Sequence, residues 1–308
     1  MPQVANPRSP LVGQLRGVHL FHFEGAPCAQ RVRFALAEKG LTRGKEVPWS
    51  SAAPETLAAE SGTWTSRHVS LIKKQHLTEA YAAIQPNMVV PALVHDGRLY
   101  IESMDILEYL DQAWPEAPLM PEDPAAAAHA RELIEWGKQL HVSVRYVSFR
   151  WGLGRLARLD PKSERKLEEL EREGSPEKLG EFYRRYDRGE IEDATYREHL
   201  AALEHGYATL DELLERDGRP FLTGPAFSAA DIIWSIKVLR IHECGYPFAR
   251  NFPALHAWYE RVSQRRGFQE GVMARHRHLS RAFRIKAAVE NLLGVGLRGV
   301  SRERAVAS

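Results

Sequence analysis

Of the two cysteines in this 308-residue chain, Cys28 and Cys244, the first sits where a thiol can react. In the run PCAQRVRFALAEKG (27–40), Val32, Ala35 and Leu36 recur at helical spacing, Pro27 suits a first turn and Gly40 supplies a stop. Cys28 therefore belongs to the first turn of a helix. Unsatisfied backbone N–H groups and the positive end of the macrodipole there favour a thiolate, and Arg31 adds a cation one turn on. A thiolate in that field suits thiol–disulfide exchange or nucleophilic catalysis. Position alone leaves a second reading open, that of a small buried hydrophobe. Cys244 reads as structural. Two cysteines make no disulfide framework, and neither a CxxC pair nor a His-rich run offers the usual metal spacing, so no metal site is expected.

The elements that would position Cys28 can be read outward from it. GVHLFHF (17–23) is a buried strand leading into the helix. Residues 41–66, with Pro48, Pro54 and Gly62, lack periodicity and read as an inserted loop or short irregular helix, and RHVSLI (67–72) as the next strand. A short helix near 77–84 leads to Pro91 opening a strand, an Asp96–Gly97 hairpin turn, and a partner strand at 98–101. Ser103 then starts a helix with an apolar stripe of Ile106, Leu107, Leu110 and Trp114. The first domain, 15–114, is thus α/β with the order βαβαββα.

Four prolines make 115–124 a stiff linker, and residues 125–280 beyond it read as all-helical. The charged stretch 160–200 suggests solvated helix ends and loop, and helices are expected near 125–150 and 191–216. Ser228 and Asp231 form a variant capping box, with Phe227 and Ile232 as its hydrophobic staple. The tail 281–308 is amphipathic, with Ile285, Val289, Leu292 and Leu293 on one side and basic residues flanking. With 42 basic and 40 acidic side chains there is no global field for nucleic acid. The start lacks a secretory core and no apolar run of about 18 residues exists, so a soluble, cytoplasmic protein is expected.

Four segments, in order and at suitable separations, carry a resemblance: CAQRVRFALAEKG (28–40), IQPNMVVPALV (84–94), ESMDILEYL (102–110) and FLTGPAFSAADIIW (221–234). Together with the layout they resemble the cytosolic glutathione S-transferase family, whose fold joins a thioredoxin-like domain to an all-α domain. The cysteine position is similar to that of zeta-like isomerases and tetrachlorohydroquinone reductive dehalogenases, and the charged insertion to bacterial dehalogenases and β-aryl etherases. Ala26 and Pro27 depart from the pattern, because many relatives place a Ser or Tyr hydroxyl there.

The resemblance implies glutathione as co-substrate and Cys28 as the catalytic residue. It places a cis Val90–Pro91 bond, with the Val90 backbone pairing the cysteinyl part of the tripeptide. Ser103 would hold the γ-glutamyl carboxylate and Glu102 its ammonium, while Gln75 and His76 would take the glycine carboxylate. Arg145, Tyr146, Phe149 and Trp151 would wall a second-substrate site between the domains, and the protein would be a homodimer. The implied function is a transferase acting on a small aromatic or hydrophobic electrophile. The alternatives are a reductive lyase, dehalogenase or thiol transferase working through a Cys28 mixed disulfide, an ether-cleaving β-etherase, or a non-catalytic scaffold on the same fold.

Overall fold

The computed structural model describes residues 3–152, 154, 160–172 and 179–301; the end of the 281–308 tail, residues 302–308, lies outside them. Two compact units emerge, residues 1–116 with 156–190, and residues 117–155 with 191–308.

The first unit is built on one mixed sheet. Its strands are β1 (Gln3–Val4), β2 (Val18–His22), β3 (Thr42–Pro48), β4 (Thr63–His68), β5 (Ala92–His95) and β6 (Arg98–Ile101), ordered β1-β6-β5-β2-β4-β3. Strand β2 runs parallel to β4, with Val18 opposite Trp64, and antiparallel to β5, with Phe21 opposite Ala92. Helices α1 (Pro10–Gln14), α2 (Pro27–Glu38), α3 (Glu79–Ala82) and α4 (Ser103–Ala113) accompany it. Dropping the outer strands β1 and β3 and the short α1 leaves βαβαββα, the thioredoxin-like order. Alternation along β2 divides the core. Phe21 joins Leu11 and Val12 of α1, Leu15 just beyond it and Tyr81 of α3 in one packed cluster, while His22 takes a hydrogen bond from Arg33 of α2.

Three expectations for this unit are corrected. Residues 41–66 are no irregular insertion. They hold β3, a 3-10 turn at Pro54–Thr56 and most of β4, which itself begins four residues ahead of the strand expected at 67–72. On β3 only Val47 is buried, and β4 buries Trp64, Thr65, Ser66 and Arg67 in succession, so neither shows the apolar alternation that marks a strand. The unit also starts well before residue 15: β1 pairs with β6, and Leu11, Val12 and Leu15 are buried.

Arg67 explains how such a polar strand tolerates burial. Its guanidinium donates to the carbonyls of Pro48 (3.4 Å), Trp49 (3.1 Å), Ser51 (2.9 Å) and Thr56 (2.7 Å) and to Nδ1 of His19 (3.2 Å). Burial lowers its pKa to about 10, and the five bonds replace the water it gives up.

The third correction concerns 160–190. Where solvated helix ends and loop are expected, the described residues form α7 (Pro161–Arg172) and α8 (Leu179–Asp187), numbered after α5 and α6 below. Leu167 and Tyr183 pack with Leu77, Ala82 and Met88, so this stretch belongs with the first unit and not with the helical domain expected over 125–280.

The second unit comprises α5 (Pro124–Gln139), α6 (His141–Trp151), α9 (Asp193–Asp217), α10 (Ala229–Glu243), α11 (Phe248–Asn251), α12 (Pro253–Ser263), α13 (Arg266–Phe268) and α14 (Arg277–Leu292). The single helix expected over 125–150 is two, meeting at Leu140. Gly218 ends α9 at φ 57°, the left-handed C-terminal stop that glycine adopts without penalty. Both halves of the capping box at Ser228 and Asp231 form. Asp231 is buried and accepts from Leu222 N (2.9 Å), Ser228 N (2.9 Å), Ser228 Oγ (3.0 Å) and Trp258 Nε1 (2.8 Å), tying the start of α10 to α12.

Candidate functional site

The turn ahead of Cys28 is fixed from below. Arg33, 1% exposed, donates to the carbonyls of Phe23 (3.2 Å) and Glu24 (2.9 Å) and to His22 Nδ1 (3.2 Å). With Nδ1 accepting, His22 Nε2 carries the proton and donates to Ser66 Oγ at 2.8 Å. Glu24 pairs with Arg33 (3.4 Å) and Arg43 (2.6 Å). Burial lowers Arg33 to about 10, against the pull of Glu24. This buried network holds residues 23–26 so that α2 starts at Pro27. Ala26 occupies the N-cap and no side chain caps that end, so the first-turn donors point outward from a helix that opens on Pro27 and Cys28.

Cys28 is half-buried. Arg31, 3% exposed, lies one turn further along α2, and its Nη1 is 3.9 Å from Cys28 Sγ and 3.4 Å from Ser103 Oγ. One buried cation thereby joins the thiol to the first residue of α4. Its Nε is buried without a hydrogen-bond partner. Ser103 follows Glu102, which adopts φ 63° and ψ 116°, a backbone conformation costly for a residue with a Cβ. Glu102 Oε1 accepts from Asn87 Nδ2 at 3.1 Å, and Asn87 N donates to Gln85 Oε1 at 2.8 Å. The Val90–Pro91 bond is cis, Tyr81 OH donates to Val89 O (2.9 Å), and Val90 packs in the same cluster as Ala26 and Ala29. Cys28, Val90, Pro91, Glu102 and Ser103 thus share one unit, in which Arg31 joins Cys28 to Ser103, Asn87 holds Glu102, and Val90, just ahead of Pro91, packs in the cluster that holds Ala26.

His76 has a different neighbourhood. It sits in the 3-10 turn Gln75–Leu77, where α7 packs, and its Nδ1 is buried without a partner. Burial, with Lys74 adding to it, pulls the imidazole down to about 4, so at neutral pH it is uncharged. Gln75 Oε1 accepts from Ser70 N at 2.8 Å, closing the 70–75 turn. Of the pair expected for a glycine carboxylate, one side chain braces a turn and the other offers no cation.

In the second unit, Arg145, Tyr146 and Phe149 are each half-buried on α6. The Tyr146 ring lies 4.0 Å from that of His199 on α9, and His199 Nδ1 shares a hydrogen bond with Ser143 Oγ at 3.0 Å. Trp151 is buried beside Tyr196, which makes it a packing residue of this unit. Cys244 is 2% exposed, and burial pushes its thiol up to about 12, which leaves it unreactive. Among the described residues no group of three or more His, Cys, Asp and Glu is placed to hold a metal ion.

Sequence reasoning passed over Asn87 and Arg33. Asn87 stands inside the IQPNMVVPALV segment but reads as a turn former, and a lone arginine on a helix reads as a solvated charge. The only local signal was the cluster of polar residues around an otherwise apolar strand and helix.

Residues 20–118 match the glutathione S-transferase N-terminal domain family and residues 193–261 the C-terminal domain family. A probable maleylacetoacetate isomerase 2 of Drosophila melanogaster is 33% identical over 119 residues, 38% of this chain and 43% of that protein. Glutathione S-transferase theta-1 of Mus musculus is 28% identical over 195 residues, 63% of this chain and 69% of that protein. The chain spans less than half the length of the first curated relatives it matches. Among solved structures, the β-etherase LigF from Sphingobium sp. strain SYK-6 superposes with a TM-score of 0.68 at 23% identity, over 83% of this chain and 99% of that one. The theta class glutathione S-transferase from Xanthomonas axonopodis pv. citri, with glutathione bound, gives 0.58 at 22% identity, over 84% and 98%. At these identities the likeness establishes the fold. With the two domain families matched in order over more than half of its length, the chain belongs to the glutathione S-transferase family.

Proposed function

We propose that this chain is a glutathione-dependent transferase in which Cys28 stabilises the thiolate of bound glutathione for attack on a small aromatic or hydrophobic electrophile. The observation that carries the reading is Arg31, a buried cation within 3.9 Å of Cys28 Sγ and 3.4 Å of Ser103 Oγ. Ser103 Oγ and the N-terminus of α4 would receive the γ-glutamyl carboxylate, and Glu102, held by Asn87, the ammonium. The Val90 backbone ahead of β5 would pair with the cysteinyl part as an added strand does. His76, neutral and half-buried with its Nδ1 enclosed, would contribute a hydrogen bond rather than a charge at the glycine end.

In the transferase step the glutathione thiol loses its proton to water, the thiolate attacks the electrophilic carbon, and the leaving group departs with the bonding electrons. Arg145, Tyr146 and Phe149 are the proposed second-substrate residues, combining aromatic surface with a cation. A homodimer is part of the proposal and is read directly by light scattering after gel filtration.

A second reading is favoured by the same cation, because a guanidinium beside Sγ stabilises Cys28 itself as a nucleophile. Cys28 thiolate would attack the glutathionyl sulfur of a mixed disulfide and release the substrate thiolate, which takes a proton from water. A second glutathione thiolate would then attack Cys28–SG, giving glutathione disulfide and restoring Cys28. For reductive dehalogenation or ether cleavage, a glutathione thiolate would first displace halide or aryloxide from carbon; Cys28 thiolate would then attack the sulfur of that thioether, the C–S electron pair leaving on carbon to take a proton from water, and a second glutathione thiolate would release Cys28 as glutathione disulfide.

Paired assays of the unaltered protein and Cys28→Ala separate the readings. Conjugation of 1-chloro-2,4-dinitrobenzene that survives the change while deglutathionylation is lost assigns thiol transfer to Cys28. Loss of conjugation with glutathione binding retained supports the transferase role. Failure to bind glutathione at millimolar concentration in calorimetry removes both and leaves a scaffold on this fold.

A further inference from the structure

Helix α14 is clamped to the second unit along its inner face and bare along its outer one. Ser280, Phe283 and Ala287 are buried, and Arg240 lies 5.6 Å over the Phe283 ring. Lys286 Nζ donates to Trp151 O (3.2 Å), and Asn291 Nδ2 to Gly245 O (3.2 Å). The other side exposes Ile285 (58%), Val289 (51%), Leu292 (87%) and Leu293 (70%), and Val295 continues the patch beyond the helix (64%). Spacings of i, i+4, i+7 and i+8 place the first four on one face. Among the described residues, every exposed large hydrophobic except Ile72 and Val142 lies in this C-terminal segment. Scattered surface apolars need no explanation, but a contiguous stripe this bare does.

The charges beside the stripe say what covers it. Arg277, Arg281 and Arg284 follow one another down one edge at i, i+4 and i+7, and Lys286 lies on the other edge. From Arg275 to Arg298 there are six basic residues and one acidic residue, Glu290, in a chain whose overall charge is balanced. Two copies of this face brought together would oppose arginine to arginine, which weighs against self-association. No described helix is long and apolar enough to cross a membrane. An apolar stripe flanked by cations on a helix parallel to the surface is the arrangement of an interfacial membrane-binding helix.

We propose that α14 docks the protein onto an anionic lipid surface, with Ile285, Val289, Leu292 and Leu293 entering the headgroup boundary and Arg277, Arg281 and Arg284 meeting lipid phosphates. The occupant is a bilayer, and the attachment is peripheral and salt-sensitive.

Co-sedimentation of the full chain with vesicles tests this. The protein pellets with phosphatidylcholine vesicles containing a minority of phosphatidylglycerol, stays in solution with pure phosphatidylcholine, and is released by added salt. Each basic residue near an anionic surface is worth about fivefold in partition, so Arg281→Gln with Arg284→Gln weakens binding by about 25-fold. Leu292→Asp with Leu293→Asp abolishes it, and both residues are exposed enough for the fold to survive, as a thermal melt verifies. Failure of the unaltered protein to pellet with either vesicle, or equal pelleting with both, overturns the proposal. So does a solution oligomer that dissociates in the Leu292→Asp, Leu293→Asp variant, because a second copy would then be what covers the face.

Discussion

Replacing Arg31 by methionine removes a charge from beside Cys28 while keeping the length of the side chain. Two unit charges about 4 Å apart attract by about 1 kcal/mol in water and by about 4 kcal/mol at an effective dielectric constant near 20. Cys28 is half-buried, which places the Arg31–thiolate attraction at 3.9 Å between those limits, at about 2 kcal/mol. Losing about 2 kcal/mol of attraction, about half of it returned because a less stabilised thiolate is the better nucleophile, should leave alkylation about fivefold slower. The assay is the rate of iodoacetamide labelling at neutral pH, followed by peptide mass mapping. Cys244 serves as the internal control, because burial keeps its thiol protonated. Stability should hardly change, since a buried guanidinium with an unpartnered Nε exchanges for an apolar side chain at little cost. Arg31→Lys should recover most of the rate. An Arg31→Met protein labelled as fast as the unaltered one would refute the electrostatic argument, and so would a lysine variant as slow as methionine.

Asp231→Asn turns an amide nitrogen towards two of the four donors that the carboxylate accepts, and should cost about 3 kcal/mol, read as an earlier thermal transition of the second unit. Arg67→Lys keeps the charge but cannot reach four carbonyls at once, and should cost about 3 kcal/mol and expose amides 48–56 to hydrogen exchange. His19 and His76 are both pulled by burial from 6.5 to about 4, so below pH 6.5 the unfolded chain takes up protons that the folded chain refuses. Stability is therefore full above that value and falls as pH drops towards 4, by up to about 3 kcal/mol for each histidine. Urea midpoints across this range should fall less steeply for His76→Gln.

Much of the core fold was legible because its elements obey simple patterns. The β2–α2 unit, the Asp96–Gly97 hairpin, the helix from Ser103 and the capping box at Ser228 each carry a local signal that the structure reproduces. Where burial and polarity part company the patterns fail. Strand β4 buries Ser66 and Arg67 because their partners come from residues far apart in sequence, His22, His19 and the 48–56 turn. No periodicity encodes such a network. For the same reason α7 and α8 read as solvated charge: Leu167 becomes a core residue, with Tyr183 half-buried beside it, only when Leu77, Ala82 and Met88 lie against them. At the site, Cys28 and Ser103 could be placed at helix starts from sequence, but their link through Arg31 spans 72 residues and needs the fold. His76 can be marked in the sequence only as a candidate, because the packing against α7 and the burial that pulls its imidazole down to about 4 need the fold.

Glutathione lying along the Val90–Ser103 side of the first unit, with its sulfur at Cys28, is the placement on which the proposed chemistry depends. A crystal structure of the protein soaked in glutathione reads it directly. The expected result is the tripeptide sulfur in contact with Cys28 Sγ, beside Arg31, and the γ-glutamyl carboxylate on Ser103. A sulfur turned away from Cys28, or no tripeptide at this position under saturating glutathione, would contradict it.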